Sequence, residues 1–200
     1  MNAHFSTISL LALGGGGAHE ISHEWTLTPG ELAWSAALVL FFVLLNAFFV
    51  AGEFAIVKVR STQLDALVDE GHAGAKVARK ALKNLDGYLS ATQLGITLAS
   101  IALGMVGEPY VARVIQPLMF KMGVTNESLV SSVSIGIGFG VVTFLHVVLG
   151  ELTPKSLAIR KSLATSLVIS APLHFFYVVF KPAIWLLNGA ANWLLKTLFR

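Results

Sequence analysis

LVSSVSIGIGFGVVTFLHVVLGELTPK, residues 129–155, carries the pattern that decides the fold. An uncharged apolar run, Leu129–Leu149, closes on Gly150-Glu151-Leu152-Thr153-Pro154-Lys155. About twenty such residues in a helix are enough to cross a hydrocarbon core of about 30 Å. A carboxylate and a proline at the end of a membrane helix are energetically costly, so a functional role is the default expectation for them. Pro154 has no N–H, and the carbonyl four residues earlier, on Gly150, therefore loses its helical donor. A freed carbonyl beside a carboxylate makes an oxygen pocket of the kind that hard cations such as Mg2+ prefer.

Composition agrees with a membrane setting. Of the 200 residues, 55% are hydrophobic and 12% charged, with a mean hydropathy of +0.74, outside the range of ordinary soluble domains. The absence of cysteine excludes a disulfide framework and a thiolate metal site. No Lys or Arg occurs in the first 57 residues, which argues against a signal peptide with a basic leader. No basic stripe interleaved with aromatics is present, so nucleic acid is not an expected partner.

Two further stretches can span a bilayer, giving spans over about 32–57, 88–107 and 129–152. The second starts after Asp86-Gly87 and is expected to end at Glu108-Pro109. Lys58, Arg60, Lys76, Arg79, Lys80 and Lys83 lie between spans one and two; Lys155, Arg160 and Lys161 follow span three; only Arg113 and Lys121 lie between spans two and three. Basic residues concentrate on the cytoplasmic side, which puts the N-terminus and a tail of residues 1–30 outside. Between spans one and two, Leu64, Leu67, Val68, Ala75, Ala78, Leu82 and Leu85 recur at helical spacing, predicting one amphipathic helix over 61–85 that lies against the spans. Thr62 and Asp65 have the spacing of a capping box at its start. Residues 163–200 are apolar but interrupted by Pro172 and Lys181-Pro182. A fourth span would carry Lys181, Lys196 and Arg200 outside, so interfacial helices are expected, with Trp185 and Trp193 at the boundary and the C-terminus cytoplasmic. The fold class is thus an all-α membrane protein of three transmembrane helices plus juxtamembrane and interfacial belt helices.

This orientation puts several polar residues at one depth near the cytoplasmic surface: Glu53, Ser90, Gln93 and Glu151. In a bilayer such groups face one another or a watery cavity. Asn46 lies two turns from Glu53 on the same side of span one. Ser90, Gln93, Thr97, Ser100 and Gly104 form a small and polar stripe on span two, where the hydroxyls also suit interhelical hydrogen bonding. Gly136 and Gly140 form a GxxxG pair suited to helix packing, and Gly138 thins the same helix further. Simpler roles stay open: Glu151 pairing with Lys155 one turn on, Glu53 reaching Lys58 or Arg60, and His146 as a packing histidine rather than a pH-sensitive gate.

Two motifs point elsewhere. His19-Glu20-Ile21-Ser22-His23 matches the HExxH pattern of zinc proteases. That chemistry needs a firm helix and a third ligand, whereas here the pattern follows four glycines and precedes Thr28-Pro29. No enzyme is expected. Asn126-Glu127-Ser128 matches a glycosylation acceptor pattern.

Three stretches, Phe48–Arg60, Tyr88–Thr97 and Gly150–Lys155, together resemble the transmembrane domain of the CorC/CNNM family of magnesium transporters, and in particular its hemolysin-like bacterial branch. The likeness covers residues 31–200. It implies a homodimer in the cell (inner) membrane, three spans with an interfacial belt, and Mg2+ export coupled to Na+ influx through an inward-facing acidic cavity. The family's cation-binding glutamate matches Glu151, and its span-two serine matches Ser90. Val50 and Ile96 stand where many members have serine and asparagine, leaving Glu53, Gln93, Asn46, the Gly150 carbonyl and water to complete a ligand set. Pro154, Gly136, Gly140 and His146 are the expected gating and packing positions. Export of a polyamine dication, or Mg2+ sensing without transport, are the other readings. Family members usually carry a cytoplasmic CBS-domain pair; none lies within these 200 residues, and nucleotide regulation is not assigned to them.

Overall fold

The computed structural model describes residues 28–198. The expectations for the N-terminal tail and for the His19–His23 motif lie outside these residues. Eight α-helices follow in order: α1 (Pro29–Lys58), α2 (Ser61–Asp69), α3 (Ala73–Lys83), α4 (Leu85–Lys121), α5 (Glu127–Leu145), α6 (Thr153–Arg160), α7 (Ser162–Val179) and α8 (Lys181–Leu198). A π-helical turn, His146–Leu152, joins α5 to α6.

α1 starts three residues before the sequence-based boundary, because Thr28 caps it. The Thr28 hydroxyl accepts from Glu31 N–H, and the Glu31 carboxylate accepts from Thr28 N–H, with Pro29 in the first turn. The helix is apolar around most of its circumference and lies at the centre of the molecule, touching α4, α6, α7 and the π turn. Phe49, Ile56, Tyr88 and Leu173 form one buried cluster around it. Contact with α4 is closest at Gly95, where a Cβ would stand 2.5 Å from the Phe49 ring.

α4 does not stop at Glu108-Pro109. It runs through Pro109 and Pro117 to Lys121. A proline inside a helix removes one hydrogen bond and introduces a kink. The helix continues here because its far half is packed: Ala112 and Met119 are buried, and Ser134 of α5 reaches the Met119 sulfur at 3.6 Å. The actual stop is Gly123, which adopts φ +86°. Gly123 N–H bonds to Phe120 O and Val124 N–H to Met119 O, the paired bonds of a Schellman turn. The Asn126 side chain then caps α5, accepting from Leu129 N–H at 3.1 Å.

The single amphipathic helix expected over 61–85 is two helices. Gly71, at φ +86°, closes α2 with a second Schellman turn, Gly71 N–H to Val68 O and His72 N–H to Leu67 O. The Thr62–Asp65 capping box does not form: α2 starts at Ser61 without a side-chain cap, and Asp65 instead pairs with Arg79 of α3 at 2.6 Å. The apolar faces of both helices are buried as a unit, Leu64, Ala75 and Ala78 packing with Val59, Leu163 and Leu167.

Among the described residues, four helical stretches are long and apolar enough to cross a membrane: α1, α4, the continuous 127–160 rod, and α7. Sequence reading counted three and put 163–200 at the interface; α7 meets the length and composition criterion as well. Only 39%, 28%, 22% and 17% of their apolar windows are buried, so most of their surface is left to surroundings of matching polarity. Trp34, Met105 and Phe175 stand out at 67%, 74% and 72% exposure.

Candidate functional site

The site grows from the π turn. Thr153 N–H bonds to Val148 O, five residues back, and the following residue, Pro154, has no N–H to offer the Gly150 carbonyl. Such π turns insert an extra residue into a helix and recur at functional positions. The Gly150 carbonyl is satisfied from α1 instead: Asn46 Nδ2 donates to it at 3.0 Å. Asn46 is fully buried. Gly150 permits this approach, since a Cβ there would lie 3.1 Å from Asn46 Nδ2 and 3.2 Å from His146 Cδ2.

One carbonyl orders the rest of the network. Because it can only accept, the amide nitrogen of Asn46 faces it and Oδ1 faces away. Ser100 of α4 donates to that Oδ1 at 3.2 Å. With its proton so placed, Ser100 Oγ accepts from His146, whose Nε2 lies 3.1 Å away. The neutral imidazole therefore carries its proton on Nε2. The same Nε2 is 3.6 Å from Glu151 Oε1, an ion pair when the imidazole is charged. Two helices and the π turn thus hold a chain of polar groups, Gly150–Asn46–Ser100–His146, ending beside a carboxylate. Glu151 itself is less enclosed, its side chain 43% exposed, with lone pairs left for a further partner.

Asn46, Gly150, His146 and Glu151 are sequence-predicted residues that the fold brings together. Pro154 is buried at the start of α6 and shapes the turn. Ser100, read only as part of a stripe, is the link between α1 and the π turn; its helical spacing from Gln93 and Thr97 hinted at a face but not at a partner.

The other candidates stand apart from this network. Ser90 Oγ lies 2.9 Å from Asp86 O and 2.9 Å from Asn188 Oδ1, tying α4 to α8. Gln93 is exposed, and its backbone carbonyl accepts from Thr97. Glu53 is partly buried two turns below Asn46, with Thr92 Oγ1 at 3.5 Å from Oε2. Among the described residues, no ion pair joins Glu53 to Lys58 or Arg60, or Glu151 to Lys155. Lys155 lies instead over the Phe54 ring at 4.6 Å. No three His, Asp or Glu side chains among the described residues converge on one point. A cation here would therefore be held by one carboxylate supplemented by carbonyl, amide and hydroxyl oxygens and water, a set that suits a hard ion retaining much of its hydration.

Gly136 and Gly140 face open space within the chain, where a Cβ would meet nothing within 4 Å. The close packing of α4 on α5 rests on other glycines. A Cβ on Gly138 would lie 3.1 Å from Glu108 O, and one on Gly107 3.0 Å from Val142.

Residues 37–199 match the profile described as the Cyclin M transmembrane N-terminal domain, CNNM. The chain is 48% identical to UPF0053 protein YhdT of Bacillus subtilis (strain 168) over 158 residues, 79% of this chain and 34% of that relative. It is 46% identical to UPF0053 protein YhdP of the same organism over 159 residues, 80% of this chain and 36% of the relative. It is also 36% identical to the uncharacterized protein MT1889 of Mycobacterium tuberculosis (strain CDC 1551 / Oshkosh), over 80% of this chain and 45% of the relative. The chain thus spans about a third of the length of the first two relatives. The matched segment takes in all four long apolar stretches but for the first residues of α1, and with them the whole polar network. The chain belongs to the Cyclin M (CNNM) transmembrane-domain family, a family of multi-pass membrane domains rather than of enzymes.

Proposed function

We propose that this chain is the membrane part of a divalent-cation exporter of the cell (inner) membrane, with Mg2+ as cargo, Na+ influx as the coupling reaction and a homodimer as the working unit. The observation that carries the reading is the half-exposed Glu151 carboxylate set on a proline-broken turn whose carbonyl is held by the buried Asn46. A buried amide with a part-buried hydroxyl and imidazole fixed around one accessible carboxylate cost more than a packing role in a bilayer requires. Cargo reaches Glu151 from the cytoplasm, keeps several waters, and takes further oxygens from the Gly150–Asn46–Ser100 group. Glu53, two turns from Asn46 toward the cytoplasmic end of α1, attracts the ion before it reaches Glu151.

The orientation follows from the charge distribution, with the basic α2–α3 pair cytoplasmic and the N-terminus outside. Packing supports three spans with α7 and α8 as a belt. Leu163 and Leu167, near the start of α7, pack on α2 and α3, and His174, three turns on, lies 3.4 Å from Lys80 of α3. A helix that meets a cytoplasmic helix at both points runs along the interface rather than across it.

Purified protein in proteoliposomes tests the reading. Mg2+ flux is expected for the wild type and at least a tenfold loss for Glu151→Gln, with thermal unfolding in detergent unchanged within about 2 °C. Flux of Mg2+ equal to wild type in that variant overturns Glu151 as the binding group. Transport of cadaverine in place of Mg2+ overturns the cargo.

A further inference from the structure

A largely apolar cleft with a few polar groups in its wall lies between α4 and α5, beyond the network just described. It has a volume of about 210 Å³, and its walls include Ser100, Leu103, Glu108, Phe139, Thr143 and His146. It runs along α4 for the eight residues from Ser100 to Glu108, about 12 Å at 1.5 Å per residue, away from the end that holds Glu53. His146 belongs to both the polar network and the cleft. Its Nε2 is 3.6 Å from Glu151, and it lines the cleft at the end where Ser100 stands. At the far end Glu108 is partly buried and, among the described residues, takes part in no ion pair. A carboxylate facing Leu103 and Phe139 at membrane depth is expensive unless a cation or water accompanies it. The cleft is open because Gly104 has no side chain: a Cβ there would meet nothing within 4 Å.

We propose that this cleft is the outward half of the cation path, with Glu108 as its binding carboxylate and His146 as the partition between it and Glu151. The inference rests on the transport reading above. An ion leaving Glu151 passes the imidazole, meets the Ser100 and Thr143 hydroxyls, and is drawn on by Glu108. Displacing the His146 ring from Ser100 and Glu151 opens a way from Glu151 into the cleft; restoring its contacts closes it, which is the gating that an alternating-access carrier needs.

The chain has no native cysteine, so single thiols report on the cleft without background. Thr143→Cys and Glu108→Cys are reconstituted and treated from the outer side with a membrane-impermeant cationic thiosulfonate. Both are expected to react, and Mg2+ is expected to slow Thr143→Cys labelling at least fivefold. Adding Glu108→Gln to Thr143→Cys should abolish that protection, and adding Gly104→Leu, which fits the open space, should slow labelling itself at least fivefold. If neither thiol reacts, lipid or a second copy of the chain covers the cleft and the proposal falls. Protection that persists with Glu108→Gln also overturns it. Glu151-dependent Mg2+ flux with unreactive thiols would leave the export reading standing and sink this one. Glu108-dependent protection in a protein that moves no Mg2+ would do the reverse.

Discussion

At the residue scale the protein turns on one carbonyl. Gly150 O lacks the donor that Pro154 would have supplied, and Asn46 reaches across from α1 to fill the place. That single acceptor fixes the amide orientation of Asn46, the proton direction at Ser100 and the tautomer of His146. Asn46→Ala leaves the Gly150 carbonyl and the Ser100 hydroxyl without their partners in a buried position. Leaving such groups unsatisfied costs about 1–3 kcal/mol, so a lower unfolding midpoint in detergent is expected, with reduced Mg2+ flux although Glu151 is untouched. A midpoint equal to wild type would show that another donor replaces the amide. Sequence spacing brought Glu151, Gly150 and Pro154 to notice because they are anomalous in an apolar run. It named Asn46 among several candidates but could not reveal that its amide bonds to Gly150 or that Ser100 joins it, because a hydrogen bond between residues 46 and 150 depends on how two helices are rotated against each other.

At the element scale the π turn is the device that distinguishes the 127–160 rod from a plain membrane helix. Pro154→Ala returns a backbone N–H that can bond to Gly150 O in α register. The turn is then expected to relax toward regular α-helix, releasing Asn46 and rotating Glu151 away from His146. Hydrogen exchange checks this. The new amide at position 154 should be protected, and Mg2+ flux should fall while thermal stability holds or rises. An unprotected amide there would mean that Asn46, not the proline, dictates the turn. Sequence reading found the proline and its orphaned carbonyl but described the outcome as an open ligand site rather than a π turn bonded to another helix. The two helix ends it misjudged have different causes. Pro109 looked like a stop, but tertiary packing of Ala112 and Met119 carries α4 past it. Hydrophobic spacing predicts one helix over 61–85, but the left-handed conformation of Gly71 ends α2.

At the scale of the whole molecule, two bodies are joined along α7: the spanning helices around α1, and the α2–α3 pair. Leu64 is fully buried in the joint with Ala75, Ala78 and Leu163. Leu64→Ala is expected to lower stability by about 2–5 kcal/mol and to raise hydrogen exchange across 61–83 before the spans open. Uniform loosening of the whole chain would contradict this division. The Arg79–Asp65 pair is a part-exposed ion pair and contributes no more than about 1 kcal/mol. The sequence by itself determined that the protein is helical and membrane-embedded, and which costly residues lie at the end of the third apolar run. These follow from local hydropathy, charge and backbone chemistry, which need no knowledge of neighbours. Only the tertiary structure decided that Asn46, Ser100 and His146 surround the π turn while Ser90 ties α4 to α8, and that Glu108 opens on a cleft shared with His146. A helix of 3.6 residues per turn offers several faces of similar polarity, and packing alone selects which of them meet.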